Sequence, residues 1–381
     1  MTVTDDSTHL LIAGGGTGGH LFPGVAVADE WRRRFGDGGV LFVGTGRPFE
    51  KDILQRAGYP HRRITASGVK GLGWRRQCTA LAALPAGIAQ SVRIIRGFRP
   101  LCVLAVGGYS SGPVAVAAWL LGIPVVLHEQ NTIAGITNRL LAPLARRIYV
   151  SFPNTRIPAA PEKLLHAGNP VRRGFVSQRQ APHAPGKRPF TVMIIGGSQG
   201  AHGINQAVAD MLGELTDAED YRFVHQTGSA DADDLRRAYD EAGIAAAVAA
   251  FFHDMPQRFQ AADLLICRAG ATTIAELTAM GCAAILVPFP QAADNHQVVN
   301  AAALVAAEAA EMIEERDLTG GLLADRLQFY RSRPGALARL RDNAARLGRP
   351  RAAAAIVDDI LEVIGHTGIA AAHQRKKPHV S

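Results

Sequence analysis

Residues 264–297, LLICRAGATTIAELTAMGCAAILVPFPQAADNHQ, leave this chain few folds to choose from. An apolar run at 264–267 breaks at Ala269 and Gly270, and a helical pattern follows whose first turn carries Thr272, Thr273 and Glu276. Gly281 ends it, and a second apolar run, 283–287, stops at Pro288 and Pro290 before a polar cluster of Asp294, Asn295, His296 and Gln297. Two short strands joined by one helix, each ending in a Gly- or Pro-marked polar loop, predict a βαβ unit with its loops at the carboxyl edge of a parallel sheet. At that edge a helix N-terminus offers unpaired N–H groups to an anion, and Glu276 is close enough to accept bonds from vicinal hydroxyls, so a phosphate and a ribose suit it. A second reading is local: Thr272 and Thr273 cap the helix, and Thr273 with Glu276, three positions on, forms a capping box.

The same strand, glycine loop and helix recur along the chain. Residues 9–13 lead into GGGTGGH (14–20), 101–106 into GGYSSGP (107–113) and 191–195 into GGSQGA (196–201). Gly14, Gly16 and Gly19 match G-x-G-x-x-G, the fingerprint of dinucleotide folds. In such a fold the next strand, 39–43, ends in an acid for the adenosine ribose. Here it ends in Gly44-Thr45-Gly46-Arg47, and the first acid, Glu50, comes later. NAD and FAD are therefore disfavoured, and the mechanical part of the signal stays: a loop that brings a diphosphate to the backbone at a helix N-terminus. His20 stands where that helix begins, as a candidate general base or as a capping and positioning residue. The strand at 123–127 ends in His128, Glu129, Gln130 and Asn131, a poor core and a good substrate-facing rim. Residues 148–150 and HAGNPVR (166–172) close the half, with Asn169 and Arg172 near its boundary.

At 381 residues the chain is too long for one ordinary core. Residues 174–190, GFVSQRQAPHAPGKRPF, are rich in Pro, Gly and charge and read as a linker between two Rossmann-like α/β domains, 1–173 and 191–348, facing one another across a cleft. A helix at 349–366 and a flexible basic tail at 367–381 follow. Asp231 and Asp233 match the metal pattern D-x-D, but they sit in the first turn of a helix, where acids suit the dipole, and read as structural.

Charge is unevenly shared: residues 1–174 hold 21 Lys+Arg against 9 Asp+Glu, and the remainder 20 against 24. The basic half calls for an anionic partner, which could be nucleic acid, a phospholipid surface or an acidic substrate. Within it, Leu72, Gly73 and Trp74 lie between Lys70 and the pair Arg75-Arg76, a candidate interfacial anchor on an anionic bilayer. An amphipathic helical pattern follows at Leu81, Leu84, Ile88, Val92 and Ile95, and the plainer reading is a core helix with solvated arginines. The first nine residues lack the apolar core of a signal peptide, and no run reaches the ~18 apolar residues of a membrane span. Cys78, Cys102, Cys267 and Cys282 are scattered with no C-x-x-C, so a reduced cytoplasmic protein without a zinc site is expected.

No G-x-x-x-x-G-K-[ST], H-E-x-x-H or catalytic Cys/His signature occurs, so group transfer from a nucleotide donor fits better than hydrolysis by a nucleophile or a metal. GGGTGGH, GGYSSGP, HEQN, GNPVR, GGSQGA, CRAGATTIAEL and PFPQAADNHQ, in that order across residues 11–300, resemble the MurG-type N-acetylglucosaminyltransferases of bacterial peptidoglycan synthesis. The resemblance implies the GT-B fold, with an N-terminal acceptor domain, a C-terminal donor domain and a last helix crossing back to the first. It implies transfer of N-acetylglucosamine from UDP-N-acetylglucosamine to the C4 hydroxyl of the muramyl sugar of undecaprenyl-linked lipid I, with inversion, giving β-1,4-linked lipid II. No cofactor, metal or nucleic acid takes part in the implied reaction. The implied place is the cytoplasmic face of the bacterial inner membrane, where Leu72, Trp74, Arg75 and Arg76 would meet the anionic surface.

Carried over by motif, Thr17, Gly18, Gly19, Tyr109 and Asn131 would face the N-acetylglucosamine or the acceptor, while Arg172 and Ser198 would hold the donor. Phe252 would meet the uracil through its backbone, Ala271, Thr272 and Thr273 would line the diphosphate, and Glu276 would bind the ribose. Some relatives carry a Gln-Gln pair where this chain has His296-Gln297, so the donor-sugar hydroxyls fall to these two together. An inverting displacement needs a base for the acceptor hydroxyl and stabilisation of the departing diphosphate. His20 is the expected base, Glu129 its rival, and helix N-termini with loop amides serve the diphosphate. The alternatives are another GT-B lipid glycosyltransferase, a UDP-sugar epimerase, an NAD oxidoreductase and a non-catalytic nucleotide scaffold.

Overall fold

The computed structural model describes residues 8–36, 39–66, 84–177, 188–197, 200–292 and 295–375, with side chains to residue 365. The chain divides into two compact units, one of the residues up to Arg172 together with those from Arg351, the other Arg173–Pro350.

In the first unit the strands are β1 (Leu10–Ala13), β2 (Val40–Gly44), β3 (His61–Arg63), β4 (Cys102–Ala105), β5 (Val125–Glu129), β6 (Arg147–Val150) and β7 (Leu164–His166). Among the described residues they form a seven-stranded sheet in the order β3-β2-β1-β4-β5-β6-β7. All pairings are parallel, with Leu10 opposite Val40 on one side and Cys102 on the other. A parallel sheet is covered on both faces, so the central strands read as unbroken apolar runs such as LLIA and CVLA. Leu10, Ile12, Phe42 and Leu104 pack with Trp31 of the helix Gly18–Phe35, and Leu11, Ala13, Val43 and Val103 pack with Val114 and Ala118 of the helix Ser111–Leu120. Strand order reverses between β1 and β4, which opens a crevice beyond their carboxyl ends.

The last helix, Ala352–Arg375, belongs to this first unit. Ile356, Val357 and Ile360 enter the core around Trp31, and Asp359 accepts bonds from Arg147 Nε (3.0 Å) and the Tyr149 hydroxyl (2.9 Å). The helix does not stop at residue 366, where the sequence suggests a loose tail; its alanine-rich end carries it to Arg375.

The second unit carries β8 (Phe190–Ile195), β9 (Tyr221–Gln226), β10 (Ala246–Ala249), β11 (Leu264–Cys267), β12 (Ala284–Leu286) and β13 (Glu311–Met312). Among the described residues these make a parallel six-stranded sheet, β10-β9-β8-β11-β12-β13, whose order reverses between β8 and β11. Between β11 and β12 runs the helix Ala271–Met280, closed by Gly281 in the left-handed conformation (φ 69°). A Cβ there would also sit 3.1 Å from the Ala345 methyl, so the stop signal doubles as a packing surface for the helix Pro334–Leu347.

The expected linker at 174–190 is shorter than its composition suggests. Arg173–Ser177 is helical, and Phe175 is fully buried against Phe259, with ring centroids 5.1 Å apart. At the far end Arg188 pairs with Asp263 (3.0 Å) and Phe190 already opens β8. Apolar burial overrides the Gly and Pro content at both ends.

Candidate active site

The crevice of the first unit is built from glycine. Gly14, Gly15 and Gly16 have φ of 146°, 149° and 91°, a path closed to other residues, which lets the chain leave β1 and start the helix Gly18–Phe35 within a few residues. A Cβ on Gly14 would stand 2.6 Å from the Gly107 carbonyl, and one on Gly108 would stand 2.7 Å from the Gly15 carbonyl. The loops after β1 and β4 therefore meet backbone to backbone. The Ser111 hydroxyl, fully buried, bridges them, lying 2.8 Å from the Ala13 carbonyl and 2.7 Å from that of Gly107. The His20 ring lies directly against Gly107, where a Cβ would be 2.6 Å from its Cδ2, and His20 Nδ1 is 3.1 Å from Thr17 Oγ1. Thr17 is the N-cap residue of this helix yet makes no capping bond, so its hydroxyl serves the imidazole instead.

Glu50, from the helix Pro48–Arg56 after β2, reaches under this loop. It is 1% exposed and accepts from Gly16 N–H (2.6 Å), Thr45 Oγ1 (2.8 Å) and Gly46 N–H (2.7 Å). The amide that a dinucleotide loop would turn to a phosphate is thus already held by a carboxylate. The Gly16 amide is therefore taken, and the bond fixes this part of the loop just ahead of Thr17 and His20.

Three of the four polar residues ending β5 turn inward, where the sequence suggests a substrate-facing rim. His128, Glu129 and Gln130 are buried, and only Asn131 is half-exposed. Glu129 Oε1 accepts from Asn131 N–H (2.9 Å), and Oε2 from Gly135 N–H (3.1 Å) and Asn138 Nδ2 (2.8 Å), so its carboxylate is absorbed by the loop that follows. Burial pushes its pKa up, against those donors. Gln130 Nε2 donates to the Val106 carbonyl (2.7 Å) and lies 3.1 Å from His128 Nδ1. Burial brings the His128 pKa down to about 4, with His20 nearby adding to the effect, so this ring is neutral. The strand end ties β4 to β5 and leaves Asn131 as its outward-facing member. Arg172 lies in this unit, its guanidinium 4.4 Å from the Phe22 ring centroid, and Tyr109 is 41% exposed on the loop after β4.

In the second unit the loops after β8 and β11 flank the crevice. A Cβ on Gly200 (φ 81°) would stand 2.5 Å from the Thr227 carbonyl, and Asn205 Nδ2 donates to that same carbonyl (2.9 Å) and to Asp231 (2.6 Å). Gln226, at the end of β9, donates to the Gly197 carbonyl (3.2 Å) and accepts from Phe252 N–H (3.0 Å), joining three loops. Asp231 makes no capping bond to its helix; its pKa is lowered first by Asn205 and then by His202 (3.2 Å), while Asp233 pairs with Arg236 (2.7 Å). Asp233 stays in the first turn of its helix, where an acid suits the dipole, while Asp231 is held by side chains outside that turn.

The capping-box reading of the β11–β12 helix fails. Its N-cap is Gly270, which has no side chain to close the box with Glu276. Thr273 is inside the helix and Glu276 is buried a turn further on. Asn300, fully buried, donates to the Ala269 carbonyl (3.3 Å) and steadies the approach to this terminus. Gln297 accepts from Phe289 N–H (3.0 Å), and His296 opens the helix that follows Asn295.

Comparison with known proteins settles the family. The model described as Glycosyltransferase family 28 N-terminal domain matches residues 10–150, and that described as Glycosyltransferase family 28 C-terminal domain matches 191–356. A protein of Syntrophus aciditrophicus (strain SB) named "UDP-N-acetylglucosamine--N-acetylmuramyl-(pentapeptide) pyrophosphoryl-undecaprenol N-acetylglucosamine transferase" is 46% identical over 359 residues, 94% of this chain and 99% of its own length. The crystal structure of Acinetobacter baumannii MurG is 30% identical, with a TM-score of 0.73, covering 93% of this chain and 99% of that one. The chain belongs to the MurG family of glycosyltransferases. Its two parallel-sheet units are the GT-B architecture; a UDP-GlcNAc 2-epimerase of Neisseria meningitidis, at 12% identity and a TM-score of 0.64, shares the fold alone.

Within this MurG-family chain, Thr17, Gly18, Gly19, His20, Tyr109, Asn131 and Arg172 fall on the first unit, and Phe252, Ala271, Thr272, Thr273, Glu276, His296 and Gln297 on the second. Ser198 and the proposed anchor Leu72, Trp74, Arg75 and Arg76 lie outside the described residues. Sequence reasoning misses Glu50, Ser111, Gln226 and Asn205, which hold the loops. Their signal is faint, because one acid, hydroxyl or amide near a glycine loop does not show which backbone groups it will meet.

Proposed function

We infer that this chain transfers N-acetylglucosamine from UDP-N-acetylglucosamine to the C4 hydroxyl of the muramyl sugar of lipid I, inverting the anomeric centre and giving lipid II. Near-full-length likeness to a transferase named for that donor and that acceptor carries the reading. The residue roles are those carried over by motif, and local geometry bears on some of them. His20 is the base: in the tautomer whose Nδ1–H donates to Thr17 Oγ1, 3.1 Å away, the basic lone pair falls on Nε2, which takes the proton of the attacking hydroxyl. Glu129 is a weaker candidate, since both its oxygens already accept loop N–H groups.

On the donor side, the N-terminus of the helix Ala271–Met280 meets the diphosphate, and its dipole and first-turn amides stabilise the charge that builds on departing UDP. Glu276 accepts from the ribose hydroxyls. Because Phe252 N–H is held by Gln226, its carbonyl is the group left for the uracil N–H. Arg172 and Ser198 hold the donor, while His296 and Gln297 divide the sugar hydroxyls.

The acceptor is lipid-linked, and none of the described helices is long and apolar enough to cross a membrane. Three neighbouring helices of the first unit, Leu84–Phe98, Ser111–Leu120 and Ile136–Leu141, expose Trp119, Leu120, Ile136 and Leu140, with Arg93 and Arg96 at the surface. Apolar side chains among arginines suit the inner leaflet of an anionic bilayer and extend the role expected of Leu72, Trp74, Arg75 and Arg76. Incubation with UDP-N-acetylglucosamine and a short-chain lipid I analogue tests the reaction. UDP release that depends on the acceptor supports it; release without acceptor, or epimerised donor, refutes it.

A further inference from the structure

We propose that Glu50 is a positioning residue for the transfer, its carboxylate filling the anion seat of the first glycine loop and so fixing the Thr17–His20 turn. The inference rests on the reading of His20 as the base. Three observations support it. Glu50 is buried, yet each hydrogen bond it makes is to a donor on a loop: Gly16 N–H, the Thr45 hydroxyl and Gly46 N–H. Gly15 has no room for a side chain because of it, since a Cβ there would be 2.6 Å from Glu50 Oε1 and 2.9 Å from its Cδ. The helix that carries Glu50 gains no cap from it; its N-cap is Arg47, without a side-chain capping bond.

A carboxylate suits this place better than an amide. Its three hydrogen bonds come from N–H or O–H donors shared between both oxygens, with His61 Nε2 a further 3.9 Å from Oε2, so two acceptor oxygens are needed, and a glutamine would turn its NH2 toward one of the donors. Gly16 is the second glycine of the G-x-G-x-x-G pattern, whose backbone in a dinucleotide fold closes on a pyrophosphate. Glu50 occupies that seat from within the protein, which explains how the pattern coexists with a loop that takes no dinucleotide. With Gly16 held by Glu50 and the Gly107 backbone packed against the imidazole, the turn presents His20 in one orientation.

The test compares Glu50→Gln with the wild type in turnover, UDP affinity by calorimetry, melting temperature and the imidazole signals of His20 by NMR. The expected result is a kcat lowered about ten- to a hundredfold, the scale of a small misplacement of a reacting group, with UDP affinity unchanged and the His20 signals shifted. A wild-type kcat, or a loss of turnover matched by an equal loss of UDP affinity, would overturn the proposal. If Glu50→Gln does not fold, Thr45→Val replaces it under the same criteria, and Thr45→Ser, which keeps the hydroxyl on Oε1, recovers turnover relative to Thr45→Val. Wild-type protein that releases no UDP with acceptor sinks the reading of the reaction; unshifted His20 signals in Glu50→Gln sink this one.

Discussion

Removing the imidazole at residue 20 tests the chemistry most directly. His20→Ala is expected to lower kcat by about 10²–10⁴, the range of a lost general base, while UDP affinity holds. Glu129→Gln behaves differently: an NH2 group would face loop donors in a buried place, costing about 1–3 kcal/mol of stability by denaturant titration, with turnover far above that of His20→Ala. A folded, inactive Glu129→Gln beside an active His20→Ala would exchange the roles. The place of Thr17 and His20 at the start of a helix after a glycine loop is legible in the sequence, because it is written in consecutive residues. Glu50 is not: it fails as the ribose acid of a dinucleotide fold, and only the folded loops bring Gly16 and Gly46 to it.

At the scale of elements, the end of β5 and the last helix carry the sharper expectations. His128 is buried with its pKa lowered from 6.5 to about 4, so the folded state holds it neutral while the unfolded chain takes up the proton first. Its contribution is complete above about pH 6.5 and is lost as the pH falls toward 4, an effect of about 3 kcal/mol in this site. Thermal melts from pH 7 to 4.5 should fall less steeply for His128→Asn than for the wild type; parallel slopes would show that His128 is not the group responsible. Ile360, fully buried from the last helix against the core around Trp31, should cost about 2–5 kcal/mol when cut to alanine, read by denaturant unfolding. Strands, helices and glycine stops are legible because apolar runs and turn residues act locally. HEQN is misread for the opposite reason, since a polar tetrad at a strand end faces solvent or its neighbours according to what the adjoining loops offer.

For the whole molecule the question is where it works. A basic first half and exposed Trp119 and Leu140 suit an anionic bilayer. Trp119→Ala with Leu140→Ala should weaken binding to phosphatidylglycerol vesicles by about tenfold or more, given roughly 1.5–3 kcal/mol for each large side chain buried. Raising salt should weaken the wild type further through its arginines. Flotation with such vesicles decides it, and equal binding by variant and wild type would take the membrane face elsewhere on the surface.

The amino-acid sequence by itself determined the two α/β units, their glycine loops and the family, because strand period, helix period and turn chemistry are written in consecutive residues. Tertiary structure alone decided that Phe175 and Phe190 leave the linker, that Glu129 and His128 turn inward, and that Glu50 meets the Gly16 and Gly46 amides. Those outcomes depend on partners tens of residues away, and a buried charge or amide settles only where such partners satisfy it.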